Sequence, residues 1–224
     1  MMRSRFDEQL AELNKDLLEM GALCEEVISM SAKALLTRDN DLAKNVIAMD
    51  QDIDRMEREI ESLCLRILLR QQPVAKDLRQ ISAALKMITD MERIGDQAAD
   101  IAEMISFLAA HSTSDHRYIE EMANATTRMV TDSVDAFVRR DLDDVERVIA
   151  EDDIVDDLFI KVRKTLIELI ANHPEEGEYA VDLLMIAKYF ERIGDHAENL
   201  AEWVEFSLTG KHRSGKEVND VFAV

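Results

Sequence analysis

The chain has 224 residues, 47% of them apolar, and its 27 Lys and Arg against 47 Asp and Glu give a formal net charge of −20. So negative a protein is unsuited to binding nucleic acid, because recognition of the phosphate backbone depends on concentrated Lys and Arg. With six Gly and two Pro, the chain has few residues that support turns, and its composition predicts an all-α protein.

Apolar residues recur at steps of three and four along most of the chain, which predicts amphipathic helices. The first stripe consists of Phe6, Leu10, Leu13, Leu17, Met20 and Cys24. Breaks fall at N-cap residues near 37–41 and 139–141, ahead of Pro73 and Pro174, and in a polar linker at 111–115. Six long helices are therefore predicted at 4–37, 40–71, 74–109, 115–139, 142–172 and 177–208, with a polar tail at 210–224.

An internal repeat divides the chain at the polar linker. The pentapeptide Glu-Arg-Ile-Gly-Asp occurs at 92–96 and again at 191–195, and Val-Ile-Ala occurs at 46–48 and at 148–150. Because short connections make consecutive helices antiparallel neighbours, each half is predicted to be a three-helix bundle. The predicted architecture is two tandem three-helix bundles, at 1–111 and 115–209, related by a pseudo-twofold axis.

Each half carries two pairs of carboxylates spaced four residues apart, which places both members of a pair on one face of a helix. The pairs of the first half are Asp50/Asp54 and Glu92/Asp96, and those of the second half are Asp152/Asp156 and Glu191/Asp195. Where solvent is partly excluded, two such charges about 6 Å apart repel by roughly 3 kcal/mol at an effective dielectric constant near 20. The sequence therefore predicts that a cation lies nearby.

The position of these acids on the helical wheel separates them from ordinary surface pairs such as Glu8/Glu12. Glu92 projects close to the apolar stripe of its helix, and Asp50 and Asp152 do the same, whereas the stripe beside Glu191 is thinner. In each half the two pairs lie about 20 residues on either side of a proline turn, so antiparallel helices bring them to the same height.

Four carboxylates from two neighbouring helices form a hard-oxygen environment that suits Mg²⁺, Ca²⁺, Mn²⁺ or an iron ion. A salt-bridge network is the alternative interpretation, with Arg55, Arg93 and Arg192 neutralising the acids. Gly95 and Gly194 each cost about 1 kcal/mol in a helix interior relative to Ala, and either close helix packing or metal access explains them.

Two other functional classes compete with a metal-binding regulator. A ferritin-like di-metal oxidoreductase also uses helical bundles and carboxylates, but such sites usually carry Glu-x-x-His, and none of the five histidines has Glu three residues before it. A structural bundle without metal, in which the acids serve solubility, is the third interpretation. The sequence shows no Gly-rich phosphate loop and no Ser/His/Asp or similar arrangement that would activate a nucleophile, so no catalytic residue is predicted.

The expected location is the cytoplasm. No apolar run approaches the roughly 20 residues that span a bilayer, and the charged N-terminus is not typical of a signal peptide. Cys24 and Cys64 are single thiols in apolar stretches, which favours a reducing compartment and buried side chains.

Taken together, these motifs resemble the PhoU family of phosphate-signalling regulators along essentially the whole chain. The resemblance rests on the repeated three-helix unit, the Asp-x-x-x-Asp and Glu-Arg-Ile-Gly-Asp pairs, and the run Arg-Gln-Gln-Pro-Val-Ala-Lys-Asp-Leu-Arg at 70–79. Two departures are the Gln97 that stands where the second copy has His196, and the turn at 172–178, which lacks the Gln-Gln-Pro-Val-Ala run. The second departure predicts that the two sites are not equivalent.

The resemblance implies that the acidic pairs are the metal motifs of that family. One site would then comprise Asp50, Asp54, Glu92 and Asp96, the other Asp152, Asp156, Glu191 and Asp195, binding divalent or iron ions such as Mg, Mn, Fe, Zn or Ca. It also implies a homodimeric negative regulator of the phosphate-starvation response. Such a protein links the ATPase subunit of the phosphate ABC transporter to a sensor histidine kinase, and reaches the membrane only through these partners.

Overall fold

The structure, a computed structural model, describes residues 2–71, 73–108 and 116–213. Within these ranges the chain forms six long α-helices, as predicted. They are α1 (Met2–Thr37), α2 (Asn40–Gln71), α3 (Ala75–Ile105), α4 (Arg117–Arg139), α5 (Leu142–Asn172) and α6 (Gly177–Thr209). The predicted all-α fold is thereby confirmed.

The observed helix limits lie within two residues of those predicted, except at the end of α3. The third helix ends at Ile105 rather than at 109, because the backbone tightens at Ser106, whose amide and hydroxyl both bond the carbonyl of Glu103, at 3.2 and 2.7 Å. A 3-10 turn at Pro174–Glu176, which the sequence analysis missed, precedes α6. The linker at 111–115, with the domain limits predicted there, and the tail at 214–224 lie outside the described residues.

The turns between the first two helices of each half have the same geometry. Arg38 and Arg140 both adopt left-handed backbone conformations, with φ of 54° and 62°. The Asp that follows each of them caps the next helix: Asp39 accepts from two backbone amides at 3.0 Å each, and Asp141 from one at 2.9 Å. These caps satisfy amides that the first turn of a helix leaves free.

Each half forms a triangle of mutually packed helices, and the two triangles join edge to edge. Helices α1 and α3 of the first half pack against α4 and α6 of the second, respectively. Among the six described α-helices, α2 contacts only α1 and α3, and α5 only α4 and α6. Since α2 and α5 are outermost, the α2/α3 and α5/α6 seams lie near the surface while apolar side chains from all six helices share one core.

Polar contacts between α3 and α6 follow the pseudo-twofold axis. Counting from the two Glu-Arg-Ile-Gly-Asp runs, positions 90 and 189 are equivalent, and so are positions 100 and 199. Asn199 Nδ2 donates to Asp90 Oδ1 at 3.3 Å, and the Tyr189 hydroxyl lies near enough to the Asp100 carboxylate for each group to affect the pKa of the other. Each half therefore contacts the other through the same two positions, in crosswise pairs.

Both cysteines are free and buried, in agreement with their apolar surroundings in the sequence. In the part of the chain that the structure describes, no helix contains an apolar stretch long enough to cross a membrane.

Candidate metal centres

The α2/α3 centre consists of the predicted acids Asp50, Asp54, Glu92 and Asp96. The two helices run antiparallel, with Asp50 opposite Gly95. Further along the same seam, the hydroxyl of Thr89 on α3 lies 3.4 Å from Oε1 of Glu57 on α2. This register brings the two acidic pairs to the same height on adjacent helices, as the equal distances from the proline turn predict.

Gly95 allows the carboxylate of Asp50 to lie directly against the backbone of α3. A Cβ atom built on Gly95 would be 2.9 Å from Oδ1 of Asp50 and 3.0 Å from Cδ1 of Ile53, closer than atoms of these types normally approach. The same Oδ1 is buried and has no hydrogen-bond partner. A buried carboxylate oxygen without a partner is costly, and a cation is one group that would satisfy it.

The surroundings of Asp50 disfavour its ionised form. The pKa of Asp50 is raised to about 6, first by burial and next by like charges. In order of effect, those charges belong to Asp96, Asp54 and Asp100. The sequence analysis missed Asp100, although its position four residues after Asp96 continues the same helical face.

Glu92 shares this environment. Its pKa is raised first by burial and then by Asp96, with a smaller contribution from Glu57, a second acid that the sequence analysis missed. Arg93 opposes the shift. The Glu92 side chain is 20% exposed, so it lies on the buried side of α3, as its helical-wheel position predicts.

Arginines contact part of this centre from its solvent side. Arg93 lies 3.4 Å from Glu92 and 3.1 Å from Asp96, and Arg58 lies 3.6 Å from Asp54. Both guanidinium groups are more than half exposed, and ion pairs of this kind contribute about 0–1 kcal/mol. The salt-bridge interpretation therefore applies to part of the centre and leaves the inward oxygen of Asp50 unsatisfied.

The other two arginines of that interpretation point to different partners. Arg55 pairs with Asp52 at 2.8 Å and Glu59 at 3.8 Å rather than with the predicted acids. The positive charge of Arg192, on α6, lowers the pKa of Asp100, on α3, and so opposes the raising effect of burial and like charges.

The α5/α6 centre repeats the glycine contact. A Cβ on Gly194 would lie 3.1 Å from Oδ1 of Asp152 and 3.2 Å from Cγ1 of Val155. The pKa of Asp152 is raised to about 7, chiefly by burial, and then by like charges, of which Glu198 has the largest effect. The sequence analysis missed Glu198, which lies three residues after Asp195 on the same side of α6.

The second centre is more open than the first. Asp156 and Asp195 are exposed, contrary to the expectation that the acidic pairs lie on the buried side of their helices. Glu191 is only 13% exposed, but its carboxylate accepts a hydrogen bond from the ammonium of Lys188, one turn earlier on α6. The structure therefore brings Asp152 close to Glu198, Asp156 and Asp195, and gives Glu191 a cation of its own.

The donors present suit a hard metal ion, although their side chains are not drawn together around a common point. In the described residues, no three Asp, Glu, His or Cys side chains form a group that could hold a metal ion as placed. The unpartnered oxygen of Asp50, the space above Gly95 and the like charges that surround Asp50 fit the requirements of such an ion at α2/α3. Binding would require the carboxylates to rotate inward.

Asp152→Asn is expected to stabilise the metal-free protein at pH 8 by about 1–2 kcal/mol, a figure reduced for the partial exposure of this site. Because the pKa of Asp152 is raised to about 7 in the folded chain, protonation favours folding below that pH and the contribution is lost as the pH rises through 7. The gain from the substitution should therefore vanish near pH 4.

Urea unfolding of chelator-treated protein between pH 4 and pH 8 measures this difference. Asp153→Asn is the matched control, because Asp153 is exposed and carries the same charge. An equal gain for both variants would show that general charge reduction, rather than the half-buried position of Asp152, is responsible.

Comparison with known proteins places this arrangement in a family. A family model described as the PhoU domain matches residues 17–105 and 119–204, so the domain occurs twice, consistent with the tandem repeat. The chain is 38% identical to the phosphate-specific transport system accessory protein PhoU homolog of Clostridium acetobutylicum, over 94% of this chain and 97% of that one. It is 35% identical to PhoU homolog 1 of Thermotoga maritima, over 92% and 90%.

Solved structures show the same fold. The crystal structure of PhoU from Pseudomonas aeruginosa superposes with a TM-score of 0.87 at 33% identity, covering 92% of this chain and all of that one. The phosphate transport system regulatory protein PhoU from Streptococcus pneumoniae superposes with a TM-score of 0.86 at 26% identity, covering 92% and 98%. The resemblance drawn from the sequence motifs is confirmed.

Proposed function

Because the chain belongs to the PhoU family, we propose that it is an accessory regulatory protein of a phosphate-specific transport system. In this role it restrains phosphate-starvation signalling by coupling the ATPase subunit of the phosphate ABC transporter to a sensor histidine kinase. The proposed location is the cytoplasm, and the proposed assembly is a homodimer. Relatives named as accessory and regulatory proteins support a regulatory rather than an enzymatic role.

The proposal includes metal binding at the two acidic centres. At α2/α3 the ligands are drawn from Asp50, Asp54, Glu92 and Asp96, and at α5/α6 from Asp152, Asp156, Glu191 and Asp195. The observation that carries this step is the buried, unpartnered oxygen of Asp50 held against Gly95. A bound divalent or iron cation would neutralise the like charges that raise the pKa of Asp50 and Glu92.

Metal binding would also fix the outer helix of each half. Because α2 and α5 pack only within their own half among the described helices, their orientation depends on contacts with two neighbours. Without a cation, the carboxylates on the two sides of the α2/α3 seam repel one another. A bound cation attracts both sets of carboxylates and so draws the two helices together. We therefore expect the partner-binding surface to include α2 or α5, where the metal determines the angle between helices.

The test is the affinity of the purified protein for the cytoplasmic part of the phosphate-sensing kinase, measured by calorimetry with Mn²⁺ and again with a chelator. Chelation is expected to weaken binding at least about tenfold, which corresponds to 1.4 kcal/mol. Asp50→Ala/Glu92→Ala should reproduce the effect of the chelator if the kinase binds α2, and Asp152→Ala/Glu191→Ala should reproduce it if the kinase binds α5.

Glu8→Ala/Glu12→Ala is the matched control, because this exposed pair has the same spacing and removes the same charge. Equal kinase affinity with and without metal would contradict the proposed role of the ion. Failure to bind either the kinase or the transporter ATPase under any condition would contradict the proposed regulatory function.

A further inference from the structure

The two centres differ at a pair of facing positions one turn beyond the acidic pairs. Counting from the Glu-Arg-Ile-Gly-Asp runs, Lys188 on α6 occupies the position of Thr89 on α3. Counting from Asp50 and Asp152, Phe159 on α5 occupies the position of Glu57 on α2. A neutral hydroxyl facing a carboxylate in the first half is thus replaced by an ammonium facing an aromatic ring in the second.

The contacts at these positions follow the exchange. In the first half, Thr89 lies 3.4 Å from Oε1 of Glu57. In the second half, Nζ of Lys188 lies 5.5 Å from the centroid of the Phe159 ring and donates a hydrogen bond to Glu191. The ring face attracts the ammonium and the carboxylate anchors it, so both neighbours hold the positive charge beside the centre.

Glu191 is therefore already paired in the chain as it stands. Its side chain is 13% exposed, which makes the attraction of Lys188 stronger than that of a fully hydrated ion pair. Any metal ion that takes Glu191 as a ligand must first displace the ammonium. In the first half the corresponding glutamate, Glu92, is contacted by the more exposed Arg93, which approaches from the next position on the same helix.

We propose that Lys188 is a resident cation of the α5/α6 centre, which competes with the metal ion for Glu191 and lowers the affinity of that centre alone. This inference rests on the proposed metal-binding function. It assigns an affinity-determining role to a residue outside the carboxylate motifs and gives the inequality of the two centres a chemical cause.

The experiment uses chelator-treated protein carrying Asp50→Ala/Glu92→Ala, in which the α5/α6 centre alone remains. Its affinity for Mn²⁺ is measured by calorimetric titration. Adding Lys188→Met should strengthen Mn²⁺ binding about tenfold, since changes next to metal ligands typically alter affinity 10–100-fold. This substitution keeps an aliphatic stem over Phe159 and removes the charge. Lys188→Thr, the residue type of the first half, is a second variant with the same expected gain.

A double-mutant cycle tests whether Lys188 acts through Glu191. Glu191→Gln is expected to abolish the gain from Lys188→Met, because there is then no carboxylate to release. The reciprocal substitution, Thr89→Lys in an Asp152→Ala/Glu191→Ala background, should weaken Mn²⁺ binding at the α2/α3 centre by a similar factor.

The outcomes separate the inference from the function on which it rests. Measurable Mn²⁺ binding that neither substitution of Lys188 alters would overturn the inference and leave the metal-binding function standing. An undiminished gain in the Glu191→Gln background would also overturn it. Absence of Mn²⁺ binding in the unmodified protein and in all variants would overturn the metal-binding function itself, and the inference with it.

Discussion

Asp50→Ala/Glu92→Ala is expected to lose the metal ion of the α2/α3 centre and to keep that of the α5/α6 centre. The two substitutions remove the half-buried carboxylates of both helices, including the buried oxygen that has no partner in the chain. Because changes even in groups that only support a metal ligand cost 10–100-fold in affinity, loss of two ligands should weaken binding at least about 100-fold.

Elemental analysis of protein dialysed against a fixed Mn²⁺ concentration measures the metal content. Asp152→Ala/Glu191→Ala should show the converse loss, and Glu8→Ala/Glu12→Ala, which removes an exposed pair of the same spacing, should match the unmodified chain. A metal content that falls equally in all three variants would indicate loose association with an acidic surface. Unchanged content in the first two would contradict the assignment of the centres.

Gly95→Ala is expected to weaken the α2/α3 centre about 10–100-fold while changing the free energy of unfolding by less than about 1 kcal/mol. The added methyl group would lie 2.9 Å from Oδ1 of Asp50, so the carboxylate must turn away from the position it occupies against α3. Two effects on stability then oppose each other. Replacing Gly in a helix interior gains about 1 kcal/mol, and crowding Asp50 and Ile53 costs a similar amount.

Mn²⁺ affinity and urea unfolding of the same preparation separate these effects. Gly177→Ala is the control, because nothing beyond its chain neighbours and the backbone of its own helix lies within 4 Å of the Cβ that it would add. If Gly95→Ala bound Mn²⁺ as tightly as the unmodified chain, the close approach of Asp50 to α3 would have no role in metal binding. Gly194→Ala should act similarly at the second centre, where the contact to Asp152 is 3.1 Å.

Features that depend on regular helix geometry were predictable from the sequence. The six helices follow from periodic apolar positions, and the antiparallel register of α2 and α3 follows from equal distances to the turn before Pro73. The burial of Glu92 follows from its place on the helical wheel. Each of these depends on spacing within one helix or across one short turn, which sequence periodicity determines.

Features that depend on side-chain partners across helices were not predictable. The exposure of Asp156 and Asp195 depends on how closely α5 approaches α6, and the like charge of Glu198 acts on Asp152 only because of that packing. The end of α3 at Ile105 depends on a local competition between the Ser106 hydroxyl and the helix for the Glu103 carbonyl. No spacing rule distinguishes these outcomes in advance.

The crosswise pairs between α3 and α6 have the form of an isologous interface, in which one position of the first half contacts a second position of the other half, and the reverse contact repeats it across a twofold axis. Two separate copies would have to find each other at the expense of translational and rotational freedom, whereas fusion into one polypeptide makes their association independent of concentration. Fusion also removes the requirement that the two halves have the same sequence, which applies to the identical subunits of a homodimer. A dimer of identical halves must carry lysine at both equivalent positions or at neither, but a fused chain is free to place Lys188 in one half and Thr89 in the other.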